Sequence, residues 1–382
     1  MFRFSEYKLR NFNFRIVILI AALCTIGFLI LSSAMANDAD RDATLQKQLM
    51  GFGIGAAAMI FFALMDYHFI MKIAPLVYIG MLVLLGVILI PGVGTSANNA
   101  TRWLNLGFMQ IQPSEFAKIG VIMVFASFFM ANRERISKVV TVGTALLLFA
   151  VPAAMILAEP DLSTTLVITF IFLSMIYVAK LSYKWIFGAV AVAVPTAGAM
   201  LYIAMQPGQT LLKGYQLNRI LSWLYPDQYK STGLTQQQDN SVLAIASGQL
   251  HGKGLNNTSF ESVKNGNFLS EENCDFIFAV IGEELGFIGS VIVIALLAFL
   301  VVECFRMAAK AKDLSGRLLC VGMGALLAFQ TFVNIGVASK LLPNTGLPLP
   351  FISAGVSSLL SIFIGMGVVL NVGLQRKTKS DF

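Results

Sequence analysis

Asp275-Phe-Ile-Phe-Ala-Val-Ile-Gly-Glu-Glu-Leu-Gly286 opens a run that stays predominantly apolar to Glu303, with a carboxylate at its head. Immediately upstream lies the longest polar stretch of the chain, 206–274, rich in Gln, Asn, Ser and Gly. An apolar run over 275–303 exceeds the roughly 20 residues that carry a helix across a bilayer. The polar stretch is too long to be a simple connector in a compact protein. Together they read as a polar cap feeding a membrane helix.

Composition agrees with it. Of the residues, 57% are hydrophobic and 12% charged, where a soluble domain has about 45–50% and about 25%. That is too little charge to make a polar skin around a soluble core of this length. The net charge of +7 sits in short clusters between apolar runs rather than in one patch. This pattern is a topology signal and argues against a nucleic-acid partner. Cys24, Cys274, Cys304 and Cys320 fall in or beside different apolar segments without metal-ligand spacing, which argues against a disulfide framework or a zinc site. The apolar run from Ile16 to about Met35 follows a basic N-terminus, but it is long enough to span and more spans follow, so it reads as a membrane helix rather than a signal peptide.

Stretches of about 17–25 apolar residues occur near 14–35, 48–65, 69–91, 113–131, 139–158, 162–180, 185–205, 275–303, 317–339 and 350–373. Seventeen lysines and arginines fall on the side of the N-terminus, against Arg41, Lys47, Arg102 and Lys340 in the short loops of the other side. The positive-inside rule then makes both termini cytoplasmic and 206–274 external. The sequence therefore predicts an all-α membrane protein, a single domain over 1–382 with ten transmembrane helices and one long extracellular loop before the eighth. No repeat relates the two halves, which lowers the reading as a secondary transporter.

In such a chain the informative residues are ionisable groups within or at the ends of spans, since each is costly unless paired or wetted. They gather on the predicted outer side: Arg102, Glu115, Lys118, Glu159, Asp161, Asp275 and Lys340. Glu115 and Lys118 are three apart and share a helix face, where an ion pair forms. As a bland alternative, that pair only makes burial tolerable. Asp275 falls in a first turn, where the helix dipole favours an anion, while Glu271 and Glu272 oppose ionisation. Ala279, Gly282 and Gly286 follow it as a seam of small residues, which predicts close packing on another helix and a carboxylate turned into a protein crevice. Glu283 and Glu284 point about 80° and about 180° away from that seam and are expected to meet other helices. Gly346-Leu-Pro-Leu-Pro-Phe-Ile-Ser353 resists helix until after Pro350 and predicts a rigid elbow before the last span.

Set out in order, these residues resemble the SEDS family of cell-wall polymerases over nearly the whole chain. The resemblance runs through Arg102-Trp103, Gln112-Pro-Ser-Glu115-Phe-Ala-Lys118, Glu159-Pro-Asp161-Leu, Tyr215-Gln with Arg219-Ile and Gly252-Lys-Gly-Leu255. It continues through Asp275 to Gly286, Gln330 with Asn334-Ile-Gly336, and Pro343 to Ser353. Two departures are Asn273-Cys274, where the family has His-Thr or a similar pair, and Ser353-Ala-Gly-Val-Ser357, where it has Ser-Tyr-Gly-Gly-Ser. Lys253 between glycines leans towards the RodA branch over FtsW.

The resemblance implies a ten-helix peptidoglycan glycosyltransferase of the bacterial cell membrane. It would join lipid II units on the outer face and work with a class B penicillin-binding protein. It places the family's essential aspartate on Asp275, its arginine before tryptophan on Arg102, its glutamate–lysine pair on Glu115 and Lys118, and its aspartate after proline on Asp161. The chemistry needs a base near a sugar hydroxyl and positive charge near a lipid diphosphate. Asp275 is the expected base, or the ligand of a divalent cation such as Mg or Mn. Arg102 and Lys118 are expected at the diphosphate, with Asp161 orienting a cation. Arg219 and Lys253, with Tyr215 and Gln216, are expected to cover the outer cavity and seat the acceptor or glycan. The rival readings are a lipid II flippase and a scaffold of the elongation or division machinery.

Overall fold

The computed structural model describes residues 7, 9–36, 38–90, 93–97, 100–105, 107, 110–185, 187–188, 191, 195, 198, 202, 206, 214–229, 235–257 and 274–375. Helices α1 (Phe14–Ala34), α2 (Arg41–Leu64) and α3 (Tyr67–Ile88) lead to three short strands, β1 (Thr95–Ala97), β2 (Ala100–Asn105) and β3 (Gln110–Ile111). Helices α4 (Pro113–Ala131), α5 (Val139–Ala158) and α6 (Leu162–Val178) follow. Within the polar stretch are α7 (Gly214–Leu224) and α8 (Gln236–Ser247), and the chain ends in α9 (Ile277–Lys310), α10 (Leu314–Ala338) and α11 (Val356–Leu374). Among the described residues, eight helices are long and apolar enough to cross a membrane, and α6 is a shorter apolar one. The span predicted over 185–205 lies mostly outside the described residues.

The bundle is layered by burial. α4, α10 and α11 are enclosed over most of their length, while α1, α2, α3 and α5 leave wide apolar faces outward. Such all-round apolar exposure suits lipid, not water. Small residues let the inner helices approach: a Cβ at Gly51 or Gly55 of α2 would press on Leu359 or Phe363 of α11, and one at Gly322 of α10 would press on Ile122 of α4.

Three boundaries differ from the apolar reading for physical reasons. α2 begins at Arg41 rather than near 48, because hydrogen bonding continues through two polar turns with Asp42 in the first. α11 begins only at Val356, as the prolines predict. The eighth span is two helices joined end to end: Gly286, at φ 66 and ψ −164, breaks α9. Residues 277–284 before the break are buried in protein, and outward apolar exposure begins at Phe287, which is 64% exposed.

The ends of the bundle are pinned differently. At the end away from Asp275, His68 Nδ1 lies 2.9 Å from Asp66 Oδ1 and His68 Nε2 lies 3.1 Å from Asp313 Oδ2. Gln375 donates to Asp66 at 3.1 Å, and the Tyr67 amide donates to Asn371 Oδ1 at 2.9 Å. This clamp joins the α2–α3 turn, the start of α10 and the end of α11. At the Asp275 end the β-strands form an antiparallel sheet ordered β1-β2-β3. Gly107, at φ 87, donates to Asn105 Oδ1 at 2.9 Å to turn the chain between β2 and β3. Ser357 ties the sheet to α11, donating to Gln110 O and accepting from the Gln112 amide, both at 3.1 Å.

Candidate functional site

The Pro343–Ser353 elbow wraps the residue that leads the eighth span. Gln330 and Asn334 sit one turn apart on α10, about 6 Å along its axis. Gln330 Nε2 donates to Pro348 O at 2.8 Å, and Asn334 Nδ2 donates to Leu347 O at 2.7 Å and to Asp275 O at 3.0 Å. Ser353 Oγ donates to Cys274 O at 2.6 Å and accepts from the Leu349 amide at 2.8 Å. Asp275 is thereby fixed through its own backbone on one side and its neighbour's on the other. Its carboxylate is half-buried and lies against Gly346, where a Cβ would stand 3.0 Å from Asp275 Oδ2. Gly346 adopts φ 71, so both its conformation and its missing side chain serve this contact.

The seam of small residues on the Asp275 helix packs as expected. A Cβ at Gly282 would stand 2.9 Å from Ile245 of α8, and one at Gly248 would overlap Gly282 O. Beyond α8 the chain enters the break in α9. The Lys253 and Gly254 amides donate to Glu283 O and Glu284 O at 2.9 and 3.0 Å, and the Phe287 and Ile288 amides donate to Gln249 O and Leu250 O at 2.8 and 3.2 Å. Those backbone groups lost their helical partners at Gly286 and regain them here, as a broken membrane helix requires. Glu283 accepts from Lys253 Nζ at 2.8 Å, and Glu284 accepts from Ser33 Oγ of α1, which in turn accepts from the Asn256 amide at 2.8 Å. Both glutamates meet other elements, as their direction predicts.

The remaining charges divide into three places. Lys118, wholly buried, donates to Glu115 Oε1 at 2.8 Å and to Gln330 Oε1 at 3.3 Å. It shares Gln330 with the elbow, so the pair lies about one turn of α10 from Asp275. Asp161 caps α6, accepting from the Thr164 amide at 3.1 Å, Thr164 Oγ1 at 2.8 Å, and Gln112 Nε2 and Ser114 Oγ at 3.4 Å. These partners are neutral, so Asp161 orients the α4 and α6 starts rather than a cation. Arg102 of β2 donates to Glu159 O at 3.3 Å and to Pro160 O. Arg219 of α7 donates to Asn344 O at 3.4 Å.

Arg102 and Arg219 line one shallow pocket of about 50 Å³ with Ser163, Asn344 and Thr345. Thr345 precedes Gly346, which lies against Asp275, so the elbow that lines this pocket also meets the carboxylate one residue further on. The sequence expects Lys118 with Arg102; the structure puts Arg219 with Arg102 and encloses Lys118 with Glu115 and Gln330. Lys253 is paired at the α9 break. Side chains of Tyr215 and Gln216, and all of Glu271 and Glu272, lie outside the described residues. Gln330, Asn334 and Gly346 gain positioning roles that their polarity alone did not announce, although each lies in a stretch that carries the family resemblance.

Residues 14–378 match the FtsW, RodA and SpoVE family of cell cycle proteins. The chain is 34% identical to the "Probable peptidoglycan glycosyltransferase FtsW" of Geobacter metallireducens, with 98% of each chain covered. It is 32% identical to the "Peptidoglycan glycosyltransferase MrdB" of Escherichia coli K12, over 95% of this chain and 94% of that one. A solved chain from a study of "Structural coordination of polymerization and crosslinking by a peptidoglycan synthase complex" superposes with a TM-score of 0.77 at 29% identity, covering 95% of this chain and 97% of that one. Relatives of different names stand level, so the comparisons fix the family rather than a branch. The chain belongs to the FtsW/RodA/SpoVE family, the SEDS family, and is a multi-pass bacterial membrane protein.

Proposed function

We propose that this protein is a peptidoglycan glycosyltransferase that polymerises lipid II into β-1,4-linked glycan on the outer face of the cytoplasmic membrane. The observation that carries the reading is one elbow, Pro343–Ser353, that both anchors a half-buried carboxylate, Asp275, and lines a pocket with Arg102 and Arg219. The relatives' names support the reaction class, a peptidoglycan glycosyltransferase. The positive-inside bias supports placing this end of the bundle outside.

In this mechanism the diphosphate of the donor lies across the mouth of the Arg102–Arg219 pocket, whose planar donors suit phosphate oxygens. The polyprenyl tail stays in lipid beside the bundle. Asp275 accepts the proton of the acceptor hydroxyl as that oxygen attacks the anomeric carbon, the C–O bond to the lipid diphosphate breaks, and configuration inverts. The leaving diphosphate takes up the negative charge and is stabilised by the guanidiniums. Lys118 and Glu115, enclosed together as a neutralised pair, fix α4 against α10 and the elbow through Gln330.

Among the described residues no group of three or more His, Cys, Asp or Glu is arranged to hold a metal. A divalent cation such as Mg, which takes one or two carboxylates, would be held by Asp275. Bound there, it would supply charge neutralisation at the diphosphate.

The partner is a class B penicillin-binding protein, a reading supported by the structural match to a chain of a peptidoglycan synthase complex. Incubating purified protein, alone and with that partner, with lipid II in detergent tests the proposal. Long glycan strands are expected. Transbilayer movement of lipid II in vesicles without polymer would favour a flippase, and neither activity would favour a scaffold.

A further inference from the structure

Arg102 is oriented by backbone alone. Its guanidinium donates to the carbonyls of Glu159 and Pro160, and among the described residues it makes no ion pair. A guanidinium held by carbonyls keeps its net charge for an arriving anion, whereas one closed on a carboxylate does not.

The side chain of Glu159 is the anomaly beside it. It is 1% exposed, and neither carboxyl oxygen accepts a hydrogen bond. A dry, unpartnered carboxylate is costly, and such groups neutralise instead. Burial pushes the Glu159 carboxyl up to about 8, Asp161 adds to this, and Arg102 opposes it. Those two, one from the same turn and one from β2, are the charged groups acting on it. Glu115 and Lys118 of α4 are closed on each other, and Arg219 lies at the pocket with Arg102. Asp161, two residues on, has the four hydrogen bonds that Glu159 lacks.

We propose that Glu159 is a positioning residue: as a neutral acid it leaves the Arg102 charge available to the substrate's diphosphate, and on ionising it draws the guanidinium away from the pocket. The identity of that anion rests on the glycosyltransferase reading, while the charge switch does not. The proton lost on ionisation passes to solvent, and no covalent step is involved.

Three measurements test it on the whole chain. In the first, polymerisation of lipid II is followed from about pH 6 to about pH 10. The wild type is expected to lose activity above about pH 8 as a fall in kcat/KM. Glu159→Gln keeps a neutral, isosteric group, so it is expected within about twofold of wild type at neutral pH and without the alkaline loss. A folded Glu159→Gln protein that is inactive at neutral pH, or that keeps the wild-type alkaline loss, overturns the proposal.

In the second, infrared difference spectra over the same range are expected to show a protonated-carboxyl band disappearing in the wild type and absent from Glu159→Gln. Failure to see that difference overturns the proposal whatever the activity. If the wild type makes no glycan at any pH, the glycosyltransferase reading fails separately. Binding of a polyprenyl diphosphate, expected to weaken at alkaline pH in the wild type but not in Glu159→Gln, then decides the role of Glu159; identical pH dependence in the two overturns it.

Discussion

Removing the ammonium of Lys118 would leave the Glu115 carboxylate buried with no cation, since one of its oxygens already lacks a partner and the other is held by Lys118 alone. Lys118→Met is expected to destabilise the protein by about 3–5 kcal/mol, the usual result of orphaning half of a buried pair. Glu115→Gln with Lys118→Met should recover much of that loss, and melting of the detergent-solubilised variants measures both. A double variant no more stable than the single one would mean that the pair does not act as a unit. The residue types at this site were legible in the sequence, because charges at span ends have few bland reasons to be there. Their grouping was not. Glu115 and Lys118 lie three apart and announce each other, but Arg102 and Arg219 meet across separate elements with no local pattern to connect them. Lys118 looked available to substrate because nothing in an apolar helix shows which face Gln330 will close.

At the scale of elements, the segment after α8 repairs the break in α9, and Gly252 is where the two backbones touch. Its φ is 78, and a Cβ there would overlap Glu284 O. Gly252→Val is expected to unseat the segment and speed hydrogen exchange of the Phe287 and Ile288 amides at least about tenfold, because their acceptors are Gln249 O and Leu250 O. Gly53→Ala, with open space around its Cβ, serves as the control and should leave exchange unchanged. Unaltered exchange in Gly252→Val would show that the segment is not what protects those amides. The Gly282 and Gly286 seam could be read from its spacing, and it finds α8. The break itself was hidden because apolar residues continue through Leu285, Phe287 and Ile288, so hydropathy sees one long span. The polar sequences of α7 and α8 carry no apolar signal for a membrane helix, and α8 is held by tertiary bonds such as Ser241 Oγ to Ala338 O at 2.7 Å and Gln238 Nε2 to Leu342 O at 2.8 Å.

For the whole molecule, the two ends of the bundle do different work. The end away from Asp275 is closed by the His68 clamp, and its strength depends on pH through Asp313. Burial alone would raise the Asp313 carboxyl, but bonds from His68, the Gly316 amide and Ser315 hold it down to about 2. Because the folded value lies below the ordinary carboxylate value of about 3.9, this stabilisation is present above about pH 4 and is lost as pH falls towards about 2. Melting temperature is expected to drop across that window, and to drop less in Asp313→Asn; an equal drop in the variant would remove the clamp from the account. The Asp275 end is instead left with a half-buried carboxylate on the elbow that also lines the Arg102–Arg219 pocket, its backbone pinned from α10 and the elbow. That arrangement supports the proposal that Asp275 is the reacting group rather than a structural cap. The most direct measurement is therefore the rate at which purified Asp275→Asn protein, shown to be folded by its melting curve, polymerises lipid II. The account predicts loss of at least about a hundredfold in rate, the lower range of what a general base contributes; glycan formation at the wild-type rate would contradict it.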